Sequence, residues 1–308
     1  MSTPDDVSHV SVQPATAPSW VRDAVVAGGG VLSEPGDARA VVWADARDPQ
    51  GLGRLLAENP GIQWVQVPFA GVENFVPIVD GTRTWTCGKG VYAEPVAEHA
   101  LGLALAGMRS IGGYSRRDKW SGPSGRNLLG ARVTILGGGG ITESLLRLLR
   151  PWGCHVTVVR RNVQEMQGAD DVVGTANLVD GLAGADLVVL ALSLTPETRG
   201  IIGRPELEVM EKHAWIVNVA RGGHIVTDDL VRALENGDIG GAALDVTEPE
   251  PLPEGHPLWS LPNCIITPHV GNTPEMAVPL LGERIRENVS RWVSGRPLIG
   301  LIDPHAGY

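Results

Sequence analysis

The sequence predicts an α/β chain of two domains, each built on a parallel sheet, with a cleft between them. Three observations carry this prediction. The 308 residues exceed the usual span of a single hydrophobic core. Short apolar runs alternate with amphipathic stretches in two separate series along the chain. Near-continuous apolar segments, such as residues 187–192, have the character of strands covered on both faces.

The first series occupies residues 7–67, where apolar runs at 10–12, 40–43 and 62–67 alternate with amphipathic stretches at 20–27 and 52–57. Glycine and proline punctuate the changes, as in Gly28-Gly29-Gly30 and Asn59-Pro60. A helical pattern then runs over 95–108: Pro95 suits a first turn, and Val96, His99, Ala100 and Leu103 share a face. It reads as a bridge into a second domain, with His99 packed. Residues 114–127 are polar, with Gly and Pro among Arg116, Arg117, Lys119 and Trp120, so a connecting loop is expected there. In that loop Trp120 reads as a packed tryptophan.

The second series begins with a strand at 132–136, a helix at 141–149 and a strand at 155–159. Further buried strands are expected at 187–192, 215–219, 241–246 and 265–267. An amphipathic helix over 274–294 is long enough to cross back to the first domain. The predicted division is residues 1–94 with 275–308 as a substrate-binding domain, and 95–274 as a dinucleotide-binding domain.

Composition narrows the class. An apolar fraction of 43% with 19% charged residues excludes wholesale disorder. The 25 basic against 35 acidic residues give a net charge of −10, which opposes nucleic-acid phosphates and anionic membranes and leaves a small molecule as the expected partner. Cys87, Cys154 and Cys264 are odd in number and widely spaced, so neither a disulfide framework nor a metal site is expected. Met1 to Asp6 lead into no apolar run, and no segment suits a membrane span, so a cytoplasmic protein is predicted.

The strand at 132–136 is followed directly by Gly137-Gly138-Gly139-Gly140-Ile141-Thr142 opening a helix. Bare backbone N–H groups at a helix N-terminus admit a pyrophosphate, with Gly137 serving the turn and Gly139 the approach. Thr142 stands where the dinucleotide fingerprint has its third glycine, which predicts a slightly wider packing of helix on strand. The next strand ends Val159-Arg160-Arg161, without the acid that would hold the ribose hydroxyl of NAD. Two guanidinium groups suit a 2′-phosphate instead, so NADP(H) is the predicted cofactor and NAD(H) the alternative. Solvated surface charges are the other reading of the same two arginines.

Three later segments place polar residues at the ends of apolar strands, where ligands bind in open α/β sheets. They are Asn218-Val219-Ala220-Arg221-Gly222, then Leu244-Asp245-Val246-Thr247-Glu248-Pro249-Glu250-Pro251-Leu252, then Thr267-Pro268-His269. Their order resembles the D-isomer-specific 2-hydroxyacid dehydrogenase family, as do Leu194-Thr195-Pro196-Glu197-Thr198-Arg199-Gly200 and Val96-Ala97-Glu98-His99-Ala100. The resemblance runs from about Trp43 to the C-terminus. It implies two Rossmann-like or flavodoxin-like domains and a homodimer that reduces a small 2-oxo acid to a 2-hydroxy acid; Trp120 lies in the region that reaches toward a partner subunit's site in some family members, the alternative to its packed reading.

Residue by residue, the resemblance implies that Arg221 pairs with the substrate carboxylate and 2-oxo oxygen. His269 is the general acid, and Glu250 is the partner whose charge favours imidazolium. Ala70, Gly71 and Val72 hold the substrate carboxylate through backbone N–H groups. Cofactor contacts are implied for Gly137, Gly139, Gly140, Ile141, Arg160, Arg161, Thr195, Pro196, Ala220, Asp245 and Gly271, with no metal. Asp245 serves orientation. Arg160 and the short chain resemble glyoxylate/hydroxypyruvate reductases, and Glu250 argues against a formate dehydrogenase. The family also contains corepressors that bind the dinucleotide without significant turnover, which is the alternative function.

Overall fold

In the first part of the chain, apolar runs become the parallel strands β1 (His9–Gln13), β2 (Val31–Leu32), β3 (Ala40–Trp43), β4 (Trp64–Gln66) and β5 (Thr84–Thr86), in the sheet order β2-β1-β3-β4-β5. The computed structural model describes residues 7–303. Met1 to Asp6, on which part of the cytoplasmic expectation rests, lie outside the described residues. Helices α1 (Ser19–Ala27) and α2 (Pro49–Glu58) supply the crossovers. Asp48 caps α2 by accepting from the Gly51 amide at 2.7 Å, and Pro49 begins it without needing a donor.

The C-terminal helix, Pro274–Val293, belongs to this first unit and packs on α1. The contact is close because Gly28 has no side chain: a Cβ there would lie 2.7 Å from that of Val289. Beside it Trp64 and Trp292 sit with ring centres 5.6 Å apart. A buried polar chain fastens helix to sheet. Asn288 Nδ2 donates to Gln66 Oε1 at 2.9 Å, Thr86 donates to the same oxygen at 2.9 Å, and Trp64 Nε1 donates to Thr86 at 2.8 Å. Each side-chain polar atom of this hydrogen-bonded network thus has a partner, which offsets its desolvation.

The second unit, Ala93–Asn272, opens with α3 (Ala93–Met108) and continues through β6 (Arg132–Leu136), α4 (Gly140–Leu149), β7 (His155–Val159), β8 (Asp171–Val173), β9 (Leu187–Leu190), β10 (Trp215–Asn218), α5 (Thr227–Asn236), β11 (Gly241–Leu244) and β12 (Cys264–Ile266). All seven strands run parallel, in the order β12-β11-β10-β9-β6-β7-β8. Strand order therefore reverses between β6 and β9. That is the switch point of a doubly wound sheet, where ligands bind beyond the carboxyl ends of the strands. The five-stranded sheet of the first unit has the flavodoxin-like order and the seven-stranded sheet the Rossmann-like order.

Strands β9 and β11 are buried along their whole length, as their apolar runs require. Helix α3 buries Ala97, Ala100, Leu103 and Ala104 in the core it shares with β6 and α4. Gly107 lets it approach the Trp215 ring, which a Cβ would strike. A short helix, Ile111–Ser115, enters the expected loop, and residues 116–127 are irregular. Trp120 in that segment is fully exposed, at 101%, so the packed reading of it is corrected. Among the described residues no helix is long and apolar enough to cross a membrane.

Candidate active site

The second unit gathers its chemistry at the carboxyl ends of β6, β7, β9, β10, β11 and the turn after β12. Gly137 follows β6 at φ +107, with the Ala191 carbonyl where a Cβ would stand, so only glycine fits this turn. Gly139 is the N-cap of α4 and faces open space, which leaves the amides at the start of the helix approachable along with Gly140 and Ile141. Thr142 is fully buried, and its hydroxyl donates to the Gly137 carbonyl at 2.9 Å. The residue that departs from the glycine fingerprint thereby ties the turn to the helix.

Arg160, one residue past β7, lays its side chain over the turn: a Cβ on Gly138 would lie 2.8 Å from Arg160 Nε. Its amide donates to Val173 at 3.0 Å, which fixes where the side chain departs. Arg161 acts on the loop after β9. Glu197 is held below the usual carboxylate range first by the Thr195 hydroxyl, with the Arg161 charge adding to it. Thr195 and Pro196 lie within that loop, whose turn is closed by the Thr195 amide on the Thr198 hydroxyl at 2.8 Å.

Asn218, the last residue of β10, and His224 beyond it fix the backbone of Arg221. Asn218 Nδ2 donates to the Arg221 carbonyl at 2.9 Å while its Oδ1 accepts from the Ala220 amide at 3.0 Å. His224 Nδ1 faces the same carbonyl at 2.9 Å and must donate to it. Burial holds the His224 imidazole below the ordinary histidine range, which keeps it neutral in this role. Gly222 is obligatory for close approach, because a Cβ there would collide with the Thr247 backbone. The closeness of His224 to Arg221 in sequence suggests a residue that lines the site without doing chemistry, and the bond to the Arg221 carbonyl agrees with this; Asn218 stands in the quoted motif, but its bonds to residues 220 and 221 give no signal in sequence.

His269 and Glu250 meet: His269 Nδ1 and Glu250 Oε1 are 2.6 Å apart, about half exposed on both sides. His269 adopts φ +55, which non-glycine residues take only when their surroundings impose it. The imposing group is Asp245 at the end of β11. Its carbonyl accepts from the His269 amide at 2.8 Å, and its carboxylate accepts from the Thr267 hydroxyl at 2.6 Å and from the Val270 and Gly271 amides, each at 2.9 Å. His99, read from sequence as a packed helix residue, instead places Nε2 3.0 Å from the Thr267 hydroxyl and 3.2 Å from Asp245 Oδ1. That correction adds a member to the site.

Burial alone would raise the Asp245 carboxyl, but bonds from His99, Thr267 and the two amides outweigh it and lower it to about 2. The ionised carboxylate therefore stabilises the fold fully above the ordinary value of 3.8, and that stabilisation is lost as pH falls through about 2. It is worth about 2 kcal/mol. Acid titration of the unfolding free energy should show this loss in the wild type, and Asp245→Asn should be less stable at neutral pH with a flatter acid limb. Equal acid sensitivity in the two proteins would contradict the assignment.

In the first unit, Val72 is buried at 1% and anchors the loop that carries Ala70 and Gly71. The loop is framed by the Gly88 amide on the Phe69 carbonyl at 3.0 Å and by the Tyr92 hydroxyl on the Pro68 carbonyl at 3.1 Å. Among the described residues no group of His, Cys, Asp and Glu could hold a metal ion.

Residues 101–271 match the family model described as D-isomer specific 2-hydroxyacid dehydrogenase, NAD binding domain. An uncharacterised protein from Corynebacterium melassecola is 40% identical over 261 residues, 82% of this chain and 85% of that protein. Glyoxylate/hydroxypyruvate reductase A of Serratia proteamaculans is 30% identical over 295 residues, 89% of this chain and 90% of that protein. The crystal structure of a D-isomer specific 2-hydroxyacid dehydrogenase from Xanthobacter autotrophicus Py2, in complex with NADPH and MES, superposes with a TM-score of 0.84 at 27% identity, covering 97% of this chain and 99% of that one.

Proposed function

The chain belongs to the D-isomer specific 2-hydroxyacid dehydrogenase family, and on that premise we propose that it is an NADP(H)-dependent reductase of small 2-oxo acids, with glyoxylate and hydroxypyruvate as its acceptor class. The observation that carries the chemistry is the 2.6 Å contact of His269 Nδ1 with Glu250. With Nδ1 engaged by a carboxylate, Nε2 is the nitrogen left to pass a proton to a substrate oxygen. Arg221 pairs with the substrate carboxylate and the 2-oxo oxygen through its planar fork. The Ala70, Gly71 and Val72 amides of the first unit bind the carboxylate.

The residues of the glycine turn fit a dinucleotide: Gly139 faces open space at a helix N-terminus, and a Cβ at Gly138 would meet the Arg160 side chain. In this reading Gly137, Gly139, Gly140 and Ile141 take the pyrophosphate, and Arg160 and Arg161 the 2′-phosphate. Thr195, Pro196, Ala220, Asp245 and Gly271 line the remainder. When bound, the dinucleotide supplies a hydride. The NADPH held by the X. autotrophicus relative and the name of the S. proteamaculans relative both support the reading.

Oxidation of NADPH and NADH should be followed with glyoxylate, hydroxypyruvate, pyruvate and phenylpyruvate as acceptors. NADPH with glyoxylate or hydroxypyruvate is expected to give the highest kcat/KM, and Arg160→Gln to reduce the preference for NADPH about tenfold. A clear win for NADH would overturn the reading of the two arginines. NADPH binding with no turnover on any acceptor would mark a dinucleotide-binding protein instead. The reading includes a cytoplasmic location and a homodimer, in which a partner subunit would cover the wholly exposed Trp120. Light scattering is expected to give twice the 32.6 kDa of the chain, and a strict monomer would remove that part.

A further inference from the structure

We propose that His99 is a positioning residue for proton delivery: from α3 it locks the turn of residues 267–271 through Thr267 and Asp245, and so fixes where His269 stands. The inference rests on the reading of His269 as the acid.

The geometry assigns the direction of each bond. The Asp245 carboxylate only accepts, so the His99 nitrogen 3.2 Å from Oδ1 carries its proton on Nε2. The same N–H reaches Thr267 Oγ1 at 3.0 Å, and that hydroxyl spends its own proton on Asp245 at 2.6 Å. His99, Thr267 and Asp245 therefore form a closed triangle. The Val270 amide donates to the same Oδ1 and the Gly271 amide to Oδ2, so the two residues that follow His269 hang on this carboxylate.

Two further observations say what the triangle is for. His269 stands at φ +55, a conformation that costs a non-glycine residue energy and relaxes when its restraints loosen. Its amide is shared between the Asp245 carbonyl at 2.8 Å and the Thr267 carbonyl at 3.0 Å, and the next two amides donate to the Asp245 carboxylate, so the turn hangs on the two residues that His99 contacts. His99 supplies the link from that carboxylate to a rigid element, because α3 buries Ala97, Ala100, Leu103 and Ala104 around it. The His99 side chain itself remains 24% exposed, so it is not a packing residue of that core. If it is removed, the carboxylate keeps the Thr267, Val270 and Gly271 donors, so the chain still folds while the turn gains freedom.

The test compares the full-length wild type with His99→Leu, His99→Gln and His269→Asn, measuring glyoxylate reduction by NADPH, the solvent deuterium isotope effect on kcat, and thermal melting with NADPH bound. His99→Leu is expected to lower kcat about tenfold to a hundredfold, with KM for NADPH within about threefold, because misplacing a reacting group by a fraction of an ångström acts on the chemical step. Its solvent isotope effect should rise as proton transfer becomes limiting, and its melting midpoint should stay close to that of the wild type. Gln keeps an N–H donor at the same reach, so His99→Gln should recover most of the lost kcat.

Near-normal kcat in His99→Leu, while His269→Asn is inactive, would overturn this inference and leave the acid reading standing. Equal losses in Leu and Gln, with a parallel drop in melting and an unchanged isotope effect, would overturn it as well, by showing a general structural role. Normal turnover in His269→Asn would remove the acid reading and this inference together.

Discussion

Replacing His269 with asparagine is expected to lower kcat by about 10² to 10⁴-fold, the usual worth of a general acid, while NADPH still binds. Asparagine is the informative substitution because it tolerates the left-handed backbone at φ +55 better than most side chains, so the turn keeps its shape while the transferable proton is lost. The two backbone amides after it keep their bonds to Asp245, which separates loss of the proton donor from loss of the turn. Steady-state kinetics with glyoxylate, beside a direct measurement of NADPH binding, decides the matter. Turnover within a few-fold of the wild type would remove His269 as the acid.

Arg221→Lys is expected to have the next largest effect, lowering kcat/KM for the 2-oxo acid about a hundredfold to a thousandfold without weakening NADPH binding. The charge survives the substitution, but the rigid fork that matches a carboxylate does not. Asn218 and His224 hold the carbonyl of residue 221 whatever its side chain, so the backbone should stay in place. A lysine enzyme with normal kcat/KM would show that charge alone suffices, and a collapse of NADPH affinity would place the arginine on the cofactor.

The strands that the sequence makes plainest are β6 and β7, each an apolar run bounded by glycine or arginine, and both begin and end where the pattern puts them. Strands β2, β5 and β8 were not anticipated. They are two or three residues long, and Asp171 at the head of β8 or the polar Thr84 and Thr86 of β5 give no apolar run for a periodicity to register. Arg221, Glu250 and His269 could be picked out because each follows a strand end within a motif, which is a local signal.

Their supports left no such signal. His99 lies 146 residues from Asp245, and on a helical face a histidine that packs and a histidine that donates across to a turn have the same spacing. His224 gives no hint in sequence that it will turn back on the carbonyl three residues earlier. Trp120 shows the converse: a large apolar side chain is expected inside, and its full exposure follows from tertiary placement alone.

The most direct test of the account is to run glyoxylate reduction with NADPH carrying deuterium at the transferable C4 position and to look for the label in the product. The account predicts one deuterium on C2 of glycolate, none washed into solvent, with the new hydroxyl proton drawn from water by way of His269. Glycolate formed without the label, or consumption of NADPH without any 2-hydroxy acid, would contradict it.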